Sequence, residues 1–154
     1  SKVIFPGVGE ASSAMEYLKK HHLDELIISL KQPTLGICLG QQLMCSYSEE
    51  GDTTCLGIFD ASVKKFPPEE LVPHMGWNNL ENLKSPLLKG ISEQDNVYFV
   101  HSYYAELSEE TIANCNYILP FGAAMQKNNF YATQFHPEKS AWVGERILKN
   151  FLEL

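Results

Sequence analysis

The sequence has few positive charges and no long apolar run. Its 154 residues include 12 lysines and arginines against 19 aspartates and glutamates, which gives a formal net charge of −7. The basic residues form no polybasic run, so the chain lacks the positive field that non-specific nucleic-acid binding requires. No apolar stretch approaches the roughly 20 residues that cross a bilayer, and no secretory leader opens the chain. We expect a cytoplasmic protein that binds neither nucleic acid nor membranes.

Closely spaced cysteines are also missing. The four cysteines, Cys38, Cys45, Cys55 and Cys115, form no CxxC pair, the spacing typical of zinc sites. Hydrophobic residues make up 44% of the chain, enough for a core that needs no disulfide support. We expect reduced thiols and no bound metal, with at most one cysteine carrying chemistry.

Strand-like and helix-like segments alternate through the first third of the chain, a pattern typical of the α/β class. Residues 3–6 and 34–37 predict strands, and residues 10–22, 23–30 and 40–47 predict helical pieces. The rest of the chain predicts mainly strands, two of them within residues 56–66 and the others at 74–80, 96–100, 112–118, 123–125 and 130–135. A hairpin turn at Asn128 and Asn129 precedes the last of these strands. A closing amphipathic helix is predicted at residues 141–152, with Val143, Ile147, Leu148 and Phe151 on one face. Since no linker interrupts the chain, we expect one domain over residues 1–154.

The sharpest local feature is the pentapeptide from Gly36 to Gly40, with Cys38 at its centre. It reads G-x-C-x-G between a predicted strand and a predicted helix, the cysteine form of a nucleophile elbow. The helix N-terminus would favour the thiolate, and the backbone N–H of Leu39 would point towards a developing oxyanion. The alternative interpretation is a small buried cysteine in a glycine-rich turn.

A cysteine nucleophile needs a base, and His136 is the best placed of the five histidines. It follows a predicted strand, whereas His21 and His22 end a helix. Glu138 lies two residues further on, close enough to orient an imidazole as the third member of a triad does. The alternative is a strand-end histidine beside a surface glutamate.

A second oxyanion donor could come from the turn after the first strand. Pro6 and Gly7 precede Val8 and Gly9 there, and glycines let backbone N–H groups approach a ligand closely. Val8 or Gly9 could supply the donor beside Leu39. The alternative is an ordinary strand-to-helix turn.

Together these three elements resemble the class I, or triad, glutamine amidotransferases. Further stretches resemble one branch, the glutaminase subunits of imidazole glycerol phosphate synthase, and the likeness covers essentially the whole chain. They are P-H-M-G-W-N from Pro73, Y-F-V-H-S-Y from Tyr98, and Q-K-N-N-F-Y from Gln126. The resemblance implies a three-layer, flavodoxin-like fold with a mixed central sheet. The family begins with a strand–helix unit that this sequence lacks, so we expect upstream residues, including a central strand, to be missing. Gln41 stands where relatives usually have Met or His, with little effect expected.

The resemblance also implies site residues and a partner. Cys38, His136 and Glu138 would form the triad, with Gln42, Glu50, Ser102 and Tyr103 binding L-glutamine. Trp77 and Tyr98 would face the partner at the ammonia exit. Two alternatives remain: Glu50 could be a helix-end charge, and Trp77 could be a core residue. The partner would be the cyclase subunit, a (β/α)8 barrel in a heterodimer, which makes imidazole glycerol phosphate and aminoimidazole carboxamide ribotide in histidine biosynthesis. No cofactor is implied.

Three alternatives to this function remain. The chain could serve another synthase, although the H-M-G-W-N and P-G-V-G stretches argue against this. It could be a cysteine hydrolase of γ-glutamyl peptides that needs no ammonia-accepting partner. It could also be a non-catalytic docking subunit, against which the intact triad residues argue.

Overall fold

A computed structural model describes residues 1–7 and 9–154. Over these residues the chain forms eleven strands, four α-helices and two 3₁₀ turns. The strands are β1 (Val3–Gly7), β2 (Thr34–Cys38), β3 (Tyr47–Ser48), β4 (Thr53–Thr54), β5 (Ser62–Lys65), β6 (His74–Asn79), β7 (Asn96–His101), β8 (Tyr103–Ala105), β9 (Thr111–Tyr117), β10 (Leu119–Lys127) and β11 (Phe130–Thr133). The helices are α1 (Ala11–Lys20), α2 (Leu23–Ser29), α3 (Leu39–Met44) and α4 (Ala141–Leu152), and the 3₁₀ turns are Pro86–Leu88 and Pro137–Lys139. Within the described residues, no helix has the length and apolar character needed to cross a bilayer.

Nine strands form one mixed sheet. Their order is β1-β2-β11-β10-β8-β5-β3-β4, and β9 pairs with β10 beside that path. The strands β1, β2 and β11 run parallel, so Cys38 at the end of β2 lies beside Gly7 at the end of β1. β11 ends at Thr133, three residues before His136. The carboxyl ends of three parallel strands therefore meet at one edge of the sheet, where the predicted triad residues also lie.

Helices cover both faces of this sheet, and each face has its own apolar core. On one face α4 buries Val143, Ile147 and Phe151, which are spaced four residues apart and so share one side of the helix. On the other face α1 and α3 bury Met15 and Leu43, among others. Since successive strand residues point to opposite faces, the sheet contributes side chains to both cores. The result is a three-layer α/β fold, as predicted.

The strands β6 and β7 form a separate two-stranded sheet. Trp77 stands opposite Tyr98 in its register, and the two rings meet edge to face with centroids 5.8 Å apart. Side chains alternate between the two faces of this hairpin. His74 and His101 point into the core, whereas Trp77 is 53% exposed on the outer face.

Some predicted elements differ from those in the structure. Residues 56–66 contain one strand, β5, rather than two. The reason is that the N–H groups of Leu56 and Phe59 bond to carbonyls in the last turn of α3 instead of to a neighbouring strand. The helix predicted at residues 40–47 ends at Met44, because Cys45 is extended and β3 joins the sheet directly afterwards. The closing helix and the hairpin at Asn128 are confirmed.

Candidate active site

Cys38 lies at the corner between β2 and α3. Its φ of 56° and ψ of −110° are unusual for a residue with a side chain, and such strain is typical of functional sites. The corner is tightly packed on both sides: a Cβ at Gly36 would collide with the sulfur of Met44, and one at Gly40 with the backbone oxygen of Phe5. This is the geometry that the G-x-C-x-G motif predicts.

The Cys38 thiol is half-buried rather than projecting into solvent. Burial raises the pKa of Cys38, while the backbone N–H of Leu39 and the side chain of Gln134 act in the opposite direction. The backbone N–H of Leu39, at the start of α3, lowers this pKa in the expected direction, but its effect is smaller than that of burial. Desolvation outweighs the contribution of a helix that is only six residues long. Because burial disfavours the thiolate, nucleophilic attack requires a base.

His136 and Glu138 form a hydrogen-bonded pair. Nδ1 of His136 lies 2.8 Å from Oε2 of Glu138, so the carboxylate accepts the Nδ1 hydrogen and Nε2 is left as the basic nitrogen. The backbone of His136 is held at both ends. Its N–H donates to the carbonyl of Tyr98, and its carbonyl accepts from the hydroxyl of Ser140 at 2.6 Å. The side chain of His136 is 8% exposed, so its position is fixed by packing as well as by hydrogen bonds.

Cys38 and His136 line one pocket of about 320 Å³. In the described residues the sulfur makes no hydrogen bond to the imidazole; its polar neighbours are the Val100 carbonyl at 3.9 Å and Nε2 of Gln134 at 3.7 Å. The remaining predicted site residues that line this pocket are Gly9, Leu39, Gln42, Glu50, Ser102 and Tyr103. Glu138 lies behind His136, and Val8 lies outside the described residues. The pocket size fits a small metabolite.

Glu50 supplies a carboxylate to the pocket from the turn between β3 and β4, not from a helix end. Its Oε1 accepts a hydrogen bond from the N–H of Ala11, at the start of α1, at 2.9 Å. Burial raises the pKa of Glu50, and the Ala11 N–H opposes that rise. A carboxylate held in place this way is suited to receive an ammonium group.

Several residues at the site were not singled out by the sequence analysis. The pocket is also lined by Val100, His101 and Lys139. Gln134 contacts the sulfur of Cys38 but does not line the pocket. One signal for Gln134 was available, since it lies near the end of the strand predicted at residues 130–135, two residues before His136, and alternate residues of a strand point to the same side. The contribution of Val100 and His101 depends on where the hairpin of β6 and β7 packs, which no local motif indicates.

A sequence model of the family described as "Glutamine amidotransferase class-I" matches residues 2–154. A curated protein of Bacteroides fragilis, "Imidazole glycerol phosphate synthase subunit HisH", is 63% identical over 99% of this chain and 80% of its own length. The chain belongs to the class-I glutamine amidotransferases, in the branch of the HisH subunits. Proteins with the same name from Blochmanniella floridana and Shewanella loihica are 49% and 45% identical, with 80% and 74% of their lengths covered.

Solved structures of the family have the same fold as this amidotransferase. A putative GMP synthase protein of Thermoplasma acidophilum superposes with a TM-score of 0.70 at 21% identity, covering 99% of this chain and 71% of the other. A glutamine amidotransferase of Thermotoga maritima gives a TM-score of 0.65 at 21% identity, with 99% and 63% covered. These likenesses support the mixed-sheet α/β architecture and nothing beyond it.

Within the part of the chain that the structure describes, no three His, Cys, Asp or Glu side chains are grouped so as to hold a metal ion. All four cysteines are free thiols, as expected. The site presents a thiol, an imidazole and carboxylates around a strained backbone corner.

Proposed function

We propose that this amidotransferase hydrolyses L-glutamine with Cys38, His136 and Glu138 and passes the ammonia to a synthase partner that makes imidazole glycerol phosphate. One observation carries the proposal. A cysteine at a strained strand–helix corner shares a pocket with an imidazole whose Nδ1 is held by a carboxylate, which leaves Nε2 as a base. This is the arrangement that nucleophilic acyl transfer requires.

In the first step, His136 takes the proton of Cys38 and the thiolate attacks the carboxamide carbon of glutamine. The negative charge that develops on the carbonyl oxygen meets the N–H of Leu39, and either Val8 or Gly9 supplies a second donor. The protonated imidazole then gives its proton to the amide nitrogen, and ammonia leaves as the γ-glutamyl thioester forms. Glu138 stabilises the imidazolium throughout.

In the second step, water takes the place that ammonia has left and acts as the nucleophile. His136 removes a proton from the water, the hydroxide adds to the thioester carbon, and the sulfur leaves as a thiolate. That thiolate recovers its proton from His136, so that glutamate is released and the site returns to its starting state.

The substrate is recognised by the polar lining of the pocket. The Glu50 carboxylate pairs with the α-ammonium group of glutamine, while Gln42, Ser102 and Tyr103 contact the rest of the molecule. Both amide hydrogens of Gln42 are used within the protein, by the Tyr103 carbonyl and by Gln134. Its Oε1 is therefore the atom available to accept a hydrogen bond from the substrate amide.

The ammonia acceptor is a cyclase subunit with a (β/α)8 barrel, which conducts ammonia through its interior. The relatives' names describe one subunit of a synthase, which supports the existence of a partner. The outer face of the β6–β7 hairpin is the docking surface, because it exposes Trp77 beside Tyr98 next to the pocket-lining strand β7. We place the reaction in the cytoplasm, where histidine biosynthesis takes place.

The proposal is tested by measuring glutamate release from glutamine with and without the cyclase and its nucleotide ligand. We expect activity that depends on the partner and is abolished in Cys38→Ala, while Cys55→Ala, which removes a buried thiol away from the pocket, retains it. Full activity without the partner would favour a hydrolase of γ-glutamyl compounds. Activity that survives Cys38→Ala would contradict the mechanism, and no activity under any condition would favour a docking subunit.

A further inference from the structure

Gln134 is a fully buried polar residue that touches the nucleophile. Its Nε2 lies 3.7 Å from the sulfur of Cys38, and its Oε1 accepts a hydrogen bond from Nε2 of Gln42 at 2.9 Å. An N–H group at this distance and direction is a donor to sulfur. The site thus contains a neutral donor that is aimed at the sulfur atom itself and not at the oxyanion.

The orientation of the Gln134 amide is determined by a backbone carbonyl. The oxygen of Tyr103 can only accept, and it receives hydrogen bonds from Nε2 of Gln42 at 3.0 Å and Nδ1 of His101 at 2.7 Å. Gln42 must therefore present its NH₂ group to Tyr103, and its second hydrogen goes to Oε1 of Gln134. The NH₂ group of Gln134 is then the end that faces Cys38.

The anchor at Tyr103 is itself held by a buried pair of histidines. Nδ1 of His74 lies 2.9 Å from Nε2 of His101. Because Nδ1 of His101 donates to Tyr103, Nε2 of His101 must accept from His74. Burial lowers the pKa of His101 to about 3, so this ring stays neutral and keeps one tautomer. The direction of every hydrogen bond from His74 to Cys38 is thereby fixed.

We propose that Gln134 is a further catalytic residue, which donates a hydrogen bond to the Cys38 sulfur and stabilises the thiolate. When His136 accepts the proton of Cys38, the electron pair of the S–H bond stays on sulfur, and Gln134 keeps its own hydrogens while its N–H bond dipole meets the new negative charge. The same contact stabilises the thiolate that leaves when the thioester is hydrolysed. The catalytic meaning of this contact rests on the proposed glutaminase function.

The physical need for such a donor follows from the burial of the thiol. Desolvation raises the pKa of Cys38 by disfavouring its charged form, and Glu138 adds a like charge. The backbone N–H of Leu39, the side chain of Gln134 and the charge of Lys139 act in the opposite direction. A neutral amide performs this task without bringing a positive charge to the imidazole, which would weaken His136 as a base. Hydrogen bonds to charged groups are also the stronger ones.

The test is the pH dependence of Cys38 alkylation by iodoacetamide, a small neutral electrophile that reports the thiolate without glutamine. The pH profile is compared between wild type and Gln134→Met, with Cys38→Ala giving the background from the other cysteines. We expect the Cys38 inflection in Gln134→Met to move upwards by about one to two pH units. Gln41→Met is the matched control, because Gln41 is equally buried and donates to Gly122 without touching Cys38.

The shape of the profile separates a catalytic donor from a packing residue. A thiolate of higher pKa is a stronger nucleophile. For every pH unit by which the inflection moves upwards, alkylation therefore slows about threefold below the inflection and speeds up about threefold above it. The two profiles must then cross. If Gln134 had a purely structural role, its replacement would change the alkylation rate by the same factor at every pH. An inflection that is unchanged in Gln134→Met would overturn the proposal.

A second variant keeps the proposal testable if Gln134→Met does not fold, as judged by circular dichroism. Gln42→Met leaves Gln134 in place but removes the bond that orients it, and we expect an upward shift of the inflection that is smaller than that of Gln134→Met. An unchanged inflection in Gln42→Met would count against the proposal. Since alkylation requires no glutaminase activity, the two proposals can fail separately. A wild type that releases no glutamate with the cyclase would refute the proposed function, whereas a shifted inflection in Gln134→Met would still support the hydrogen bond to sulfur.

Discussion

At the scale of single residues, the site depends on how closely the backbone approaches itself around Cys38. Gly40, the second residue of α3, has the carbonyl oxygen of Phe5 where its Cβ would lie, and a Cβ added to Gly7 in β1 would lie 3.0 Å from the backbone nitrogen of Gly40. This contact ties the corner that carries Cys38 to the strand that leads to Gly9. The two proposed sources of the oxyanion donors are therefore positioned by one glycine contact.

Replacing Gly40 tests this contact. We expect Gly40→Ala to lower the free energy of unfolding by about 1–3 kcal/mol through overpacking, and to cost on the order of 10²-fold in glutaminase activity by displacing Cys38. Urea denaturation and glutamate release measure the two effects. The control is Gly57→Ala, where φ is 72° but no heavy atom lies within 4 Å of the added Cβ. That variant should lose about 1 kcal/mol of stability and keep its activity; equal losses of activity in both variants would contradict the argument.

Glu138 is half exposed, with its side chain at 50% of full accessibility, although it holds a buried imidazole. We expect Glu138→Gln to reduce kcat about 10- to 10²-fold, because a neutral amide neither fixes the Nδ1–H tautomer nor stabilises the imidazolium. Steady-state glutamate release by the assembled enzyme measures the change. Glu145→Gln, on the first turns of α4, removes the same charge without touching His136 and should leave kcat within about twofold. A larger loss in Glu145→Gln than in Glu138→Gln would exclude the orienting role.

At the scale of elements, the β6–β7 hairpin connects the pocket to the outer surface. Its inner face contributes His74 and His101, which stack among the aromatic side chains of Phe66, Phe99 and Phe121. Burial lowers the pKa of His74 to about 4 and that of His101 to about 3. Two imidazoles that bear no charge at neutral pH therefore connect this hairpin to the rest of the core.

These two histidines make stability depend on pH. Their pKa values in the folded chain lie below the value of about 6.5 in an unfolded one, so the unfolded chain binds more protons as the pH falls. The free energy of unfolding is unaffected by these two histidines above about pH 6.5. Below that pH it falls progressively towards pH 4, by at most about 1.4 kcal/mol per pH unit for each histidine. The Glu10 carboxylate, whose pKa is lowered from 4.5 to about 2 by hydrogen bonds from Ser12 and Ser13, loses its stabilising effect only below about pH 4.5.

The variant His74→Gln tests the assignment, because glutamine can donate to His101 but does not titrate. We expect its unfolding free energy, from urea curves between about pH 6.5 and 5, to fall less steeply than that of the wild type. His101 remains in this variant, so part of the slope persists. His21→Gln, at the exposed end of α1, is the control and should retain the full slope. A wild-type slope in His74→Gln would show that His74 is not the group that titrates.

At the scale of the whole molecule, the two tryptophans present similar exposed areas on different faces. Trp77 is 53% exposed on the β6–β7 hairpin beside Tyr98, and Trp142 is 59% exposed on α4. Only the first lies next to a strand that lines the pocket. This difference supports the proposal that the partner docks on the hairpin and not on α4.

This pair provides a matched experiment on the proposed heterodimer. We expect Trp77→Ala to weaken cyclase binding by about 30-fold, the effect of a hot spot worth about 2 kcal/mol, with little change in the stability of the isolated chain. Isothermal titration calorimetry measures the affinity. Trp142→Ala should bind like the wild type. If Trp142→Ala were the weaker binder, the docking surface would lie on α4 instead.

The features that the sequence determined by itself are the local ones. The strand–turn–helix at Cys38 could be predicted because the glycine spacing is a requirement of that corner. The pairing of His136 with Glu138 could be predicted because two residues across a turn are close in any fold. The closing helix from Ala141 to Leu152 was found with its observed bounds, since an apolar period of 3.6 residues over twelve residues allows few alternatives.

Tertiary structure alone decided the environment of the sulfur. Gln134 lies 96 residues from Cys38, and Gln42 lies 61 residues from Tyr103, so their hydrogen bonds depend on which strands become neighbours in the sheet. The pKa of Cys38 illustrates the difference. The sequence indicates the helix N-terminus, which lowers this pKa. The burial that raises it by a larger amount comes from chain segments distant in sequence that the fold packs around the corner.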